Sequence, residues 1–293
     1  MTAIHEEGAP RNSRAFLIVF LAFLSAFGPF VTDFYLPTLP DQTVDFGAPA
    51  SMVQLGLSAT MWGLAAGQLW IGPLSDTRGR RIPLAASLAV FSLATAGAVF
   101  APDIETFIAM RFLEGLGASG AVVMSRSIAA DLHAGRELAT LMAVVGAIQG
   151  IAPVTAPMIG ALIAEAAGWR EIFMLLLAIG LSLTLVTLFV FRESLSKVRA
   201  RPRGSVAASF APLMRDPLFL AVTGQQFFSS GILFGHISAS PFIFQTIFGL
   251  SPSAYGMVFG MLALSITAGA MAASYFALYC YDKMSSPVLL IIM

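Results

Sequence analysis

The sequence predicts an all-α polytopic membrane protein, and three observations carry that expectation. Hydrophobic residues make up 57% of the 293 and the mean hydropathy is +0.84, more apolar surface than a soluble fold of this size can hide. Apolar runs recur with the length of a bilayer crossing. The basic residues fall almost entirely into alternate connections between those runs.

A hydrocarbon core about 30 Å thick needs about 20 helical residues at about 1.5 Å each. Eight stretches qualify: Ala15–Leu36, Met52–Leu74, Ile82–Ala101, Ile104–Ala129, Leu138–Ala164, Trp169–Phe191, Leu218–Phe244 and Ala254–Leu278. The first follows Arg11 and Arg14 as a secretory signal would, but it is too long for an h-region and lacks an A-x-A site, so it reads as a retained span. One side of the alternation holds Arg11, Arg14, Arg78, Arg80, Arg81, Arg136, Arg192, Lys197, Arg199, Arg201, Arg203, Arg215 and Lys283; the other holds Arg170 alone. The positive-inside rule therefore puts the N-terminus and the loop Arg192–Pro217 in the cytoplasm.

That loop carries Arg199-Ala200-Arg201-Pro202-Arg203-Gly204-Ser205, which breaks a helix and repels itself. It reads as a solvated linker; an anionic-lipid contact or a regulatory site are the other readings. The expected organisation is a cytoplasmic N-terminus (1–13), a six-span bundle (14–191), the basic linker (192–217), two further spans (218–274) and an atypical tail (275–293). Net charge is zero, so nothing points to nucleic acid. Cys280 is the sole cysteine and permits no internal disulfide.

Charges inside spans are costly, so each asks for a reason. Asp33 lies about 10 Å beneath the outer end of the first span and Arg111 about 12 Å beneath the same face. Burying both is cheapest if they face one cavity and pair. Glu114 follows Arg111 by three residues on the same helix face, completing a carboxylate–guanidinium–carboxylate constellation. Asp33 then reads either as the group that carries a coupling proton, with Arg111 setting its proton affinity, or as half of a static pair that sets helix registry. Glu114 reads as a second titrating group, a lure for cationic substrates, or a local partner of Arg111.

Between the second and third spans runs Gly72-Pro73-Leu74-Ser75-Asp76-Thr77-Arg78-Gly79-Arg80-Arg81, a short basic hairpin with glycines for the turn. By itself an acid amid arginines is a solvated ion pair worth about 0–1 kcal/mol. The fifth span sets Gly146, Gly150, Ala156 and Gly160 around Pro153 and Pro157. Small residues let a neighbouring helix approach, and each proline frees a carbonyl and permits bending.

Gly72–Arg81 resembles the signature loop of the major facilitator superfamily, G-x-L-[SA]-D-R-x-G-R-[RK], with Thr77 at a place where that pattern prefers Arg. Other segments resemble the bicyclomycin-resistance (Bcr/CflA) branch of drug:proton antiporters. These are Thr32-Asp33-Phe34-Tyr35-Leu36-Pro37-Thr38-Leu39-Pro40, Arg111-Phe112-Leu113-Glu114-Gly115-Leu116-Gly117 with Glu114 where Gln is usual, and the antiporter-type Ala152–Gly160. The resemblance covers about residues 14–274. It implies proton-coupled efflux of small hydrophobic or amphipathic drugs across a bacterial inner membrane, with Asp33 and Arg111 in the coupling step and a pliable fifth-span seam. The proton would be the coupling ion, with no bound cofactor. The partners would be the lipid bilayer and drugs that antibiotic resistance concerns, and the chain would act as a monomer. Gly72, Leu74, Asp76, Arg78, Gly79, Arg80 and Arg81 would form a cytoplasmic latch against a second bundle.

The family has six spans after the linker and this chain has two, so the reading expects a C-terminally truncated form, from a frameshift, a damaged gene or an incomplete gene call. The alternative function is accordingly an inactive membrane remnant. Candidates for lining a substrate cavity are Tyr35, Gln54, Met61, Trp62, Gln68, Gln149, Gln225, Gln226, His236 and Gln245, several of which equally fit ordinary interhelical hydrogen bonds. No metal-ligand cluster and no G-x-S-x-G, H-E-x-x-H or Walker loop occurs, so an enzyme is not expected.

Overall fold

The computed structural model describes residues 12–195 and 212–283, and among these only helices and turns occur. The order is α1 (Arg14–Asp33), a 3₁₀ turn (Leu36–Thr38), α2 (Leu39–Asp45), α3 (Ala50–Arg78), α4 (Arg81–Val99), α5 (Ile104–Leu132), α6 (Gly135–Ala167) and α7 (Trp169–Phe189). After the linker come a second 3₁₀ turn (Leu213–Arg215), α8 (Pro217–Pro241), a π turn (Phe242–Ile247) and α9 (Pro252–Lys283). Most of the linker and the residues from 284 onward lie outside the described residues.

The eight long helices follow the eight expected crossings in order. Seven are both long and apolar enough to cross a membrane. The eighth, α3, has the length at 29 residues but carries Ser51, Gln54, Ser58, Thr60 and Gln68. Its Gly56, Gly63, Gly67 and Thr60 pack against α5, while Ser51, Gln54 and Ser58 line the space toward α8. Two boundaries differ from the sequence reading. Residues Gly72–Arg78 are the last turns of α3, so the ten-residue hairpin shrinks to Gly79 and Arg80. α9 runs to Lys283, through the first part of the segment set apart as a tail.

Caps account for several ends. The Asp103 carboxylate accepts from the Thr106 amide at 2.7 Å and opens α5, and Asp216 does the same for α8 through the Leu218 and Phe219 amides. Gly79 and Gly168 adopt φ of 88° and 107° where α3 and α6 stop, a conformation that side chains disfavour.

α5 is the axial helix: α3, α4 and α1 pack on it, α4 also meets α7, and α6 lies between α1 and α9. Glycines set these approaches. A Cβ at Gly63 of α3 would strike the Phe112 carbonyl, one at Gly115 of α5 the Thr60 carbonyl, and one at Gly117 the backbone of Phe91. Backbones this close gain dispersion contacts that lipid alone does not supply. Phe107 meets Trp169 and Phe173 edge-on at 5.6 and 5.5 Å, closing the core near the end opposite the arginines.

Of α8, only Ser240 and Pro241 are buried. Its links to the six-helix unit sit at the end away from the arginines. Gln54 Nε2 donates to the Ser238 carbonyl at 3.1 Å and Gln245 Nε2 to the Pro37 carbonyl at 2.7 Å. On α9, the Ser253 amide and hydroxyl donate to Glu165 at 2.9 and 2.8 Å. Among the described residues no hydrogen bond joins α8 or α9 to the six-helix unit at the arginine-rich end. Among the described residues, the hydrogen bonds between the two parts thus lie at one end alone.

Gly63→Leu therefore forces α3 off α5, at about 1–3 kcal/mol for overpacking, while Gly72→Leu, where a Cβ meets nothing within 4 Å, leaves stability unchanged. Thermal unfolding of the two variants in detergent checks the difference.

Candidate functional site

Arg111 and Glu114 on α5 are both 0% exposed. Arg111 Nη1 donates to Glu114 Oε2 at 2.5 Å and Nη2 donates to the Val31 carbonyl at 2.9 Å. Val31 stands in the last turn of α1, where carbonyls lack an intrahelical donor. The Thr95 hydroxyl of α4 donates to the other Glu114 oxygen at 3.1 Å. The guanidinium lies over the Tyr35 ring at 4.2 Å and near Phe173 of α7 at 5.3 Å, a cation–π setting. Arg111 Nε and the Tyr35 hydroxyl are buried with no hydrogen-bond partner among the described residues.

Asp33 is 6% exposed and accepts from the Thr32 hydroxyl at 2.7 Å. The ion pair with Arg111 expected from matching depths is not formed. An acid three residues away on the same helix is always within reach, so Glu114 and the Val31 carbonyl take the guanidinium first. Asp33 instead ends α1 just before the turn Leu36–Thr38, which packs on α9 and whose Pro37 carbonyl accepts from Gln245. The Tyr255 hydroxyl shares a 2.8 Å hydrogen bond with Ser240 of α8. Asp33 thus marks the seam where α1, α8 and α9 meet, just inside the hydrogen-bonded end. Glu114, wholly enclosed and doubly bonded, is placed as the partner of Arg111 rather than as a group facing a cavity.

The signature segment closes on the six-helix unit itself. Arg80 donates to Asp76 at 2.7 Å, to the Ser75 hydroxyl at 2.6 Å, and through Nε to Asp131 of α5 at 2.7 Å. Burial works against the charged form of Arg80, and the hydrogen bonds and charges of Asp131 and Asp76 more than reverse this, holding its pKa above the ordinary value. Glu193 accepts from the Arg80 and Arg81 amides at 2.8 and 3.1 Å and crowds Gly79. Arg81 donates to the Thr187 and Leu188 carbonyls at the end of α7. Gly72 and Leu74 lie within α3 and Arg78 is its last residue, with no ion pair among the described residues.

On α6, Gly160 abuts the Phe34 carbonyl of α1, Gly150 faces Thr267 of α9, and Gly146 faces open space. Pro153 and Pro157 lie inside the helix. Gly256 of α9 sits against the Pro157 carbonyl, and Gly260 against that of Val154. The cavity candidates are scattered. Met61 and Gln54 line a space of about 480 Å³ between α3 and the Gly231–Ala239 part of α8. Tyr35 is fully buried and presents no surface to it. Gln225 and His236 are exposed on α8 outside this lining, and Gln149 accepts from Arg126 at 3.2 Å.

Sequence reasoning passed over Thr95, Arg126, Asp131, Glu193 and Tyr255. Asp131 carried a signal: an acid in the last turn of a helix is disfavoured by the dipole and asks for a cation. Arg126 escaped because arginines were counted by connection, and it lies inside a span. Among the described residues no group of three His, Cys, Asp or Glu side chains is placed to hold a metal.

A packed unit of six spans, joined to two more across a seam that holds a buried carboxylate, is the architecture of a membrane transporter. The chain belongs to the Major Facilitator Superfamily, whose family model matches residues 15–293 and so includes the segment 275–293. It is 36% identical over 280 residues to the "Uncharacterized MFS-type transporter YdgK" of Bacillus subtilis, covering 94% of this chain and 69% of that one. It is 28% identical over 253 residues to the "Bicyclomycin resistance protein homolog" of Haemophilus influenzae, covering 86% of this chain and 64% of that one. The fold is similar to a solved bacterial homologue of the human lysosomal transporter Spinster, in an inward-facing and unoccupied conformation. The TM-score is 0.72 at 16% identity, over 93% of this chain and 63% of that one.

Glu114→Ala leaves a buried guanidinium without its counter-charge and costs about 3–5 kcal/mol. Asp76→Asn costs less than about 1 kcal/mol, because Arg80 keeps Asp131. Comparing folded yield and unfolding temperature of the two variants tests the ranking.

Proposed function

We propose that this chain acts in proton-coupled export of small hydrophobic or amphipathic drugs across the bacterial inner membrane, with the arginine-rich end in the cytoplasm. The observation that carries this reading is the position of Asp33. It is a carboxylate enclosed at the end of a span, bonded among the described residues only to Thr32, beside the turn Leu36–Thr38 that packs on α9 and accepts from Gln245. Relatives named for drug resistance support the choice of cargo, and the distribution of Arg and Lys supports the orientation.

In this reading the seal built by Gln54, Gln245 and Glu165 closes the outer end, and substrate enters from the cytoplasmic end. Drug arrival favours release of the proton from Asp33 inward. Separation of α8 and α9 from α1 at the outer end then exposes Asp33 for reloading, which is the rocking expected of alternating access. Arg111, a fixed positive charge, is bonded to the carbonyl of Val31, two residues before Asp33, and that bond and Glu114 keep it from collapsing onto Asp33. The α6 prolines, with glycines of α9 against their turn, supply a hinge between the two parts.

Asp33→Asn is expected to abolish substrate accumulation driven by an imposed pH gradient in proteoliposomes while leaving substrate binding in place. Accumulation that still scales with the gradient in that variant would refute the role.

A further inference from the structure

Arg126 is not used by anything described so far. It is six residues inside the end of α5 at Leu132, about 9 Å, yet it bonds Gln149, fourteen residues inside the start of α6 at Gly135, about 21 Å. The side chain therefore reaches toward the middle of the membrane instead of snorkelling to the nearer interface. Arginine offers five N–H donors, and the Gln149 oxygen takes one of them. Among the described residues the acids at this end are engaged elsewhere: Asp131 and Asp76 with Arg80, Glu193 with the Arg80 and Arg81 amides, Glu137 with His133, and Asp216 with the Leu218 and Phe219 amides. Among the described residues Arg126 is the one exposed charged side chain set more than a turn inside a span.

Its direction matters as much as its charge. Gln149 and Gly160 are eleven residues, about three turns, apart on one face of α6, and that face meets α1 at the Phe34 carbonyl. Gly150, one residue on, faces Thr267 of α9. Gln149 thus holds the guanidinium against α6, the helix that packs on both α1 and α9, and the route proposed above for substrate, a cleft between α1 and α9 at the arginine-rich end, would pass this face. A cation with one donor spent among the described residues, at membrane depth and accessible, is placed to receive an anion.

We infer that Arg126, positioned by Gln149, is a binding residue for an anionic oxygen group, a carboxylate or a phosphate, on an amphipathic molecule entering the cleft. The inference deepens the efflux reading by naming the polar head of its substrate, and it rests on that reading only in taking the cleft as the substrate's route. The same chemistry is offered by an anionic lipid headgroup, so the experiment separates the two sources.

The full chain in phosphatidylcholine micelles is titrated with dansylglycine, a carboxylate, and with dansylglycinamide, its neutral counterpart. The wild type is expected to bind the carboxylate about tenfold more tightly, the scale of one charge-assisted hydrogen bond. Arg126→Gln is expected to erase that ratio, and Arg126→Lys, which keeps the charge but not the fork, to retain part of it. Unfolding temperatures of both variants establish that they fold. A ratio near one in the wild type, or an unchanged ratio in a folded Arg126→Gln protein, overturns the inference. Adding phosphatidylglycerol distinguishes the sources: competition with dansylglycine that disappears in Arg126→Gln assigns a lipid headgroup to the site, and an unaffected ratio assigns a substrate anion. Binding is read without a pH gradient, so its outcome is independent of the Asp33→Asn transport experiment.

Discussion

A guanidinium removed from water costs several kcal/mol unless both its charge and its donors are answered, and Arg111 is answered from three helices and the segment after α1. Glu114 supplies the charge from α5, Val31 a carbonyl from α1, Tyr35 an aromatic face beyond α1, and Phe173 another from α7. Thr95 of α4 then anchors Glu114. Displacing any of these helices strands a charge in the bundle, so the register of the six-helix unit follows from this one group. The glycine contacts of α3 and α4 with α5 bring the backbones near enough for the network to close.

The same rule explains the difference between the two ends. At the arginine-rich end, Arg80 ties α3, α4 and α5 together through Asp76, Ser75 and Asp131, and Glu193 adds the segment after α7. Both clusters lie within the first six spans. What joins α8 and α9 to that unit is lighter: hydrogen bonds from neutral amides and hydroxyls at the far end, plus the close approach of α6 and α9 at Gly256 and Gly260. A rigid unit held by buried charge, beside a lightly held pair of helices, is a mechanical asymmetry suited to rocking.

Much of this was legible in the chain. The crossings, their order and three of the charges inside spans, Asp33, Arg111 and Glu114, follow from hydropathy and from the cost of ions in lipid. The glycine and proline pattern of α6 marked a seam, and α9 lies on it. The choice of partners was not legible. Depth matching put Asp33 with Arg111, since it compares height along the membrane normal and ignores azimuth, whereas Glu114 shares a helix face and is nearer. Gly72–Arg81 read as a hairpin because proline and glycine punctuate it. Pro73 nevertheless sits inside α3, which runs on to Arg78.

The sequence by itself determined the solvent, the number of helices and the family, because apolar period and length act locally and a bilayer leaves few alternatives. Only the tertiary structure decided which acid neutralises which arginine, which carboxylate stands at the seam, and that Arg126 reaches inward to Gln149. Those outcomes depend on the rotation and spacing of helices far apart in the chain, and electrostatic pairing changes steeply over the few ångströms that such rotation controls.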